Sequence, residues 1–191
     1  MLKNIERTRP LILSGAEPSS TAANSKLNLA VVGCGGQGRG DMRGLLGSGA
    51  NLVALCDPDQ AMIDKARADA SRSDEEAAKN AKAYEDYRRL LDNASSFDAV
   101  LVATPDHWHA HLCKAFMRAG KHIYCEKPLT ASLDEAREIA EALDDYRGVG
   151  QMVLQNRFSP AAMKAKALME ADFVGEVLSF RAAYLHAGSA D

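Results

Sequence analysis

The sequence is short of most features that mark a specialised protein class. Among 191 residues there is one Trp, and aromatic residues make up only 6%. The strongest apolar stretches, such as residues 99–103, fall far below the roughly 18 residues that a membrane-spanning helix needs. No membrane partner is therefore expected. Charge of one sign is equally scarce: 23 Lys plus Arg against 26 Asp plus Glu leave a net charge of −3, with no basic block. This argues against a nucleic-acid partner held through charge. The four cysteines (Cys34, Cys56, Cys113 and Cys125) contain no CxxC spacing, which argues against a zinc knuckle or a redox pair. They read as buried free thiols behaving as small hydrophobes, and that fits a reducing, cytoplasmic setting.

What the chain does contain is ordinary for a globular protein: 47% hydrophobic and 26% charged residues, too apolar and too neutral for a disordered chain. Residues 1–25 carry two basic clusters followed by Gly15, Pro18, Ser19, Ser20, Thr21 and Asn24, and read as a flexible lead-in. Their apolar run at residues 10–13 is too short for a secretory signal, and Arg7-Thr8-Arg9 is no twin-arginine pair. A trimmed export signal is the alternative.

From Lys26 onward, short β-branched runs alternate with Ala-, Glu- and Arg-rich segments. Strands are predicted over residues 27–33, 51–57, 81–84, 98–103, 122–125 and 149–154. Helices are predicted from the glycine turn to about Leu46, over 61–79 with a polar interruption at 71–74, and over 86–91 with Asp86 as cap. Further helices follow over 107–118, from Ser132 to about Tyr146, and over 160–171. Ser132 with Glu135 forms a capping-box pattern. Residues 174–184 alternate as an extended segment would. Alternation of this kind predicts an α/β fold, a doubly wound parallel sheet with helices on both faces and a ligand crevice at the strand ends. Residues 26–150 form the predicted nucleotide-binding domain, and 151–191 the connecting helix and first strand of a second one.

Gly33-Cys34-Gly35-Gly36-Gln37-Gly38 follows the first strand and opens a helix. In a GxGxxG turn the first glycine permits the tight turn, the second lets backbone approach a diphosphate, and the third lets helix pack on strand. Asp57 ends the second strand 19 residues after Gly38, where an acid can accept hydrogen bonds from ribose hydroxyls and repel a 2′-phosphate. Together these predict NAD as cofactor, with NADP disfavoured. Arg39 works against that preference, because a guanidinium beside the pocket can tolerate the extra phosphate.

Two further strand ends carry unusual chemistry: Thr104-Pro105-Asp106-His107-Trp108-His109 and Glu126-Lys127-Pro128. The glycine turn, Thr104-Pro105-Asp106, Ala119-Gly120-Lys121-His122, Glu126-Lys127-Pro128 and Gln155-Asn156-Arg157-Phe158-Ser159-Pro160 together resemble the Gfo/Idh/MocA oxidoreductases. The resemblance implies that Lys127 sits beside the nicotinamide and holds the substrate hydroxyl, with its basicity open to tuning. It places Glu126 at the nicotinamide ribose, with Pro128 fixing the turn. Thr104 and Pro105 would lie over the middle of the cofactor, His109 at the start of the following helix, and Asn156 at the nicotinamide end. Arg157 and Trp108 are substrate-side candidates. His107, His109 and His111 superficially suggest a metal, but on a helix His109 points away from the other two, so no metal is expected.

Family members continue into an α/β domain that supplies an Asp and a His one helical turn apart. No such pair follows Asn156 here, and His186 and Asp191 stand in the wrong order. The expectation is therefore a fragment or a natural short form, with the cofactor half of the site present and the substrate half incomplete. A homo-oligomer through the C-terminal strand is expected to be open to it. Three functions compete at this point: an oxidoreductase acting on a sugar or polyol hydroxyl, an NAD-using glycosidase, and a dinucleotide-binding module without catalysis.

Overall fold

The computed structural model describes residues 26–183. The predicted lead-in at residues 1–25, and Tyr184, His186 and Asp191, lie outside the described residues. The chain divides after Val153 into two compact units.

The first unit is a six-stranded parallel sheet. Its strands are β1 (Asn28–Val32), β2 (Asn51–Cys56), β3 (Lys82–Tyr84), β4 (Ala99–Val102), β5 (His122–Cys125) and β6 (Gly150–Met152), arranged in the order β3-β2-β1-β4-β5-β6. Side chains alternate across a strand, so Leu29 and Val31 of β1 enter one core while Ala30 and Val32 enter the other. The first core is closed by Met42 of α1 (Gly36–Gly47), by Ile63, Ala66 and Ala70 of α2 (Gln60–Ala70), and by Ala78 of α3 (Glu75–Asn80). The second is closed by Leu90 of α4 (Tyr87–Leu91), by Phe116 and its neighbours on α5 (Asp106–Arg118), and by Ile139 of α6 (Leu133–Asp145). Burial on both faces is why β4 reads as an unbroken apolar run rather than an alternating one. The doubly wound sheet is as the sequence predicts.

The differences are local. The helix predicted over residues 61–79 parts into two helices at its predicted interruption, residues 71–74, where Asp74 accepts from the Ala77 amide and starts α3 afresh. Arg67 on α2 then donates to the carbonyl oxygens of Ala78 and Ala81 at the end of α3 and ties the two pieces together. Asp86 caps α4 and Ser132 caps α6, as predicted.

In the second unit, Gln155–Phe158 form a 3₁₀ turn and α7 spans Pro160–Glu170, capped by Ser159. The extended strand predicted over residues 174–184 does not form over its described part: residues 171–174 are turn, and no strand is found from there to residue 183. An alternating pattern becomes a strand only where a neighbour completes its hydrogen-bond ladder, and none does so among the described residues.

Candidate functional site

The strand order reverses between β1 and β4, so the loops leaving these two strands part and open a crevice at the carboxyl edge of the sheet. The glycine turn fills the β1 side. A Cβ on Gly33, whose φ is +94°, would lie 2.4 Å from the carbonyl oxygen of Ala103 and 2.8 Å from the amide nitrogen of Thr104. A Cβ on Gly38 would lie 2.1 Å from the carbonyl oxygen of Gly33. These two glycines are therefore required by packing. Gly35 and Gly36 differ: a Cβ on either meets nothing within 4 Å, which leaves the space above the turn open. Gly35 is the N-cap of α1 and gives no side-chain cap, so the first amides of the helix point unshielded into that space. An uncapped helix start is suited to phosphate oxygens.

Asp57 stands at the end of β2. Its Oδ2 accepts from the Cys34 amide at 2.8 Å, and its Oδ1 from the Asp59 amide at 2.9 Å. A carboxylate can accept about four hydrogen bonds, so this anchoring fixes the group and still leaves acceptor capacity for ribose hydroxyls. Cys34 and Cys56 flank it, both buried, with thiols pushed up to about 12 by burial first and by the Asp57 charge second. They are inert neighbours rather than nucleophiles. Arg39 is committed elsewhere. It pairs with Asp69 at 3.3 Å beside Arg43 at 2.7 Å, and the Asp69 side chain is 12% exposed. Its predicted part in tolerating a 2′-phosphate is not the geometry observed.

Across the crevice, Glu126 is 4% exposed and Lys127 is exposed. Glu126 Oε1 accepts from Gln37 Nε2 at 3.0 Å, and Oε2 accepts from the Lys127 amide at 3.0 Å. The Gln37 amide also donates to Asp41 Oδ1 at 3.2 Å. Asp41 was not singled out from the sequence, although it is the only acid in α1 and lies one turn beyond Gln37. Burial first, and the neighbouring Glu126 carboxylate second, push its carboxyl up to about 6. The same two acids, behind burial, raise the Tyr124 phenol. Glu126 is thus a brace between α1 and the lysine turn. The Lys127–Pro128 bond is cis.

His109 is 1% exposed and faces inward. Its Nδ1 lies 2.6 Å from the carbonyl oxygen of Pro128 and its Nε2 2.8 Å from that of Thr104. Both ring nitrogens are used by main chain, so His109 bridges two loops. Pro105 caps α5, and the Thr104 hydroxyl is buried without a partner among the described residues. Trp108 is 39% exposed and packs edge-on against Tyr87 and His111, with the Tyr87 hydroxyl 2.7 Å from His111 Nε2. His111 is accordingly occupied by a phenol. Among the described residues no group of three or more His, Cys, Asp or Glu is placed to hold a metal. Asn156 and Arg157 lie in the 3₁₀ turn of the second unit.

Comparison with known proteins agrees with this geometry. Residues 27–153 match the family model described as the GFO_IDH_MocA oxidoreductase family, NAD-binding Rossmann fold. The chain is 39% identical over 106 residues to levoglucosan dehydrogenase of Pseudarthrobacter phenanthrenivorans, covering 56% of this chain and 27% of that protein. It is 31% identical over 165 residues to inositol 2-dehydrogenase 2 of Saccharopolyspora erythraea, covering 85% of this chain and 46% of the relative. Myo-inositol 2-dehydrogenase from Lactobacillus plantarum shares the fold with a TM-score of 0.68 at 24% identity, over 80% of this chain and 43% of that one. The chain spans less than half the length of each of these proteins.

Proposed function

This chain belongs to the Gfo/Idh/MocA oxidoreductase family, with residues 27–153 as its NAD-binding Rossmann fold, and on that premise we propose that it serves an NAD-dependent oxidoreductase acting on a hydroxyl group of a sugar or polyol. The observation that carries the reading is the content of one sheet edge. An uncapped helix start beneath open glycines, an anchored carboxylate at Asp57 and an exposed lysine on a braced turn all leave the same ends of parallel strands. The relatives named for inositol and levoglucosan support the substrate class.

In this proposal the amides opening α1 receive the diphosphate, and Asp57 accepts from the adenosine ribose and disfavours a 2′-phosphate. Lys127 donates a hydrogen bond from Nζ to the substrate oxygen and orients the reacting carbon. When bound, the nicotinamide supplies the hydride chemistry. Positioning is then the protein's main contribution. A glycosidase that oxidises its sugar transiently is the less favoured reading, because the relatives described above are dehydrogenases.

The test is calorimetric titration with NAD and NADP, followed by NADH formation over a panel of polyols and sugars in a chain carrying the complete substrate domain, as wild type and as Lys127→Met. NAD binding with NADP much weaker, and turnover lost in Lys127→Met at unchanged NAD affinity, are expected. Equal affinity for the two coenzymes, or full turnover by Lys127→Met, would remove the corresponding role.

A further inference from the structure

The bridge at His109 sets a proton count that the sequence does not. Its ring is fully enclosed, and each nitrogen lies within hydrogen-bond distance of a main-chain carbonyl oxygen: Pro128 at 2.6 Å and Thr104 at 2.8 Å. A carbonyl oxygen only accepts, whereas a neutral imidazole has one N–H and one lone pair. With a single ring proton, one of the two contacts would set lone pair against lone pair. Flipping the ring would put a ring carbon in place of each nitrogen and give up both hydrogen bonds.

We propose that His109 carries both ring protons and acts as a positioning residue, a cationic strut that donates to the loop after β4 and to the loop after β5 at once. The strut has a defined reach. Gly33 packs so closely on Ala103 and Thr104 that no Cβ fits between them, so the glycine turn rests on the loop His109 holds from below. On the other side Pro128 directly follows Lys127. One ring therefore keeps the turn assigned to the diphosphate and the turn carrying the lysine in fixed register. Burial of the charge is costly, and the hydrogen bonds to two carbonyl oxygens offset that cost.

The consequence for Lys127 rests on the proposed function, whereas the proton count does not, and the experiment separates them. Long-range nitrogen–proton NMR on the intact chain, labelled at histidine, reads the ring directly and needs no coenzyme. Two protonated ring nitrogens for His109 in the folded chain at neutral pH are expected. One unprotonated His109 nitrogen in the folded chain would overturn the proposal.

Hydrogen exchange then compares wild type with His109→Gln and His109→Leu. Leu should speed exchange in residues 104–106 and 126–129 together and weaken NAD binding roughly tenfold, on the scale of one or two lost hydrogen bonds. Gln, which keeps a donor, should fall between Leu and wild type. Unchanged exchange in both loops of a folded Leu variant would also overturn the strut. Should wild type bind no NAD while its ring shows two protons, the proposed function fails and the strut stands.

Discussion

The two sides of the crevice are built differently. On the glycine-turn side, main chain does the holding: Gly33 and Gly38 fit backbone against backbone, and Asp57 is fixed by two amides. On the lysine side, side chains reaching across the fold do it. Gln37 meets Glu126 from 89 residues away, and His109 joins the β4 and β5 loops. Backbone packing tolerates no substitution but does not respond to solution conditions. A side-chain brace tolerates exchange but titrates. One side should therefore break all at once, and the other by degrees.

The largest effect is expected at Gly38. Gly38→Ala drives a Cβ into the Gly33 carbonyl and should destabilise the fold by about 3 kcal/mol, the upper range for an overpacked site. Thermal unfolding measures this, and a near-normal melting temperature would refute the packing role. Asp57→Ala should come next. Losing the ribose acceptor and the anchor for two amides should weaken NAD binding by roughly tenfold to a hundredfold and cost about 1–2 kcal/mol of stability; titration calorimetry and denaturant unfolding read the two separately.

On the lysine side, Gln37→Ala should cost only about 1 kcal/mol while loosening the 126–128 turn in hydrogen exchange. The smallest effect is the one that depends on pH. The Asp41 carboxyl is pushed up from 3.8 to about 6, so the folded state holds that proton more tightly than the unfolded chain. Stability from this group is complete below about pH 4 and is lost as pH rises through 6. Asp41→Asn cannot titrate. It should match wild type in acid and exceed it by roughly 1 kcal/mol at pH 7, discounted for solvent screening. Stability curves that run parallel from pH 4 to 7 would show that the Asp41–Glu126 pair is not strained.

The same division explains what was legible beforehand. The placement of Gly33, Gly35, Gly38 and Asp57 at the crevice was legible because it is set by local backbone and by a spacing of 19 residues. The doubly wound sheet was legible because strand runs covered on both faces are written as continuous apolar stretches. The inward turn of His109, the Gln37–Glu126 contact and the Arg39–Asp69 pair were not, since each depends on which helix packs beside which strand. The strand predicted over residues 174–184 failed for a related reason. Alternation records a preference, and pairing requires a neighbour that a local pattern does not contain.

The central claim is that the open space above Gly35 receives a coenzyme diphosphate. Calorimetric titration of the chain with NAD, run side by side with Gly35→Ala, tests it most directly, because a Cβ there meets no protein atom within 4 Å. The account predicts saturable binding by wild type and binding at least about tenfold weaker in the variant, at an unchanged melting temperature. Equal affinity of the two proteins, or no binding by wild type, would contradict it.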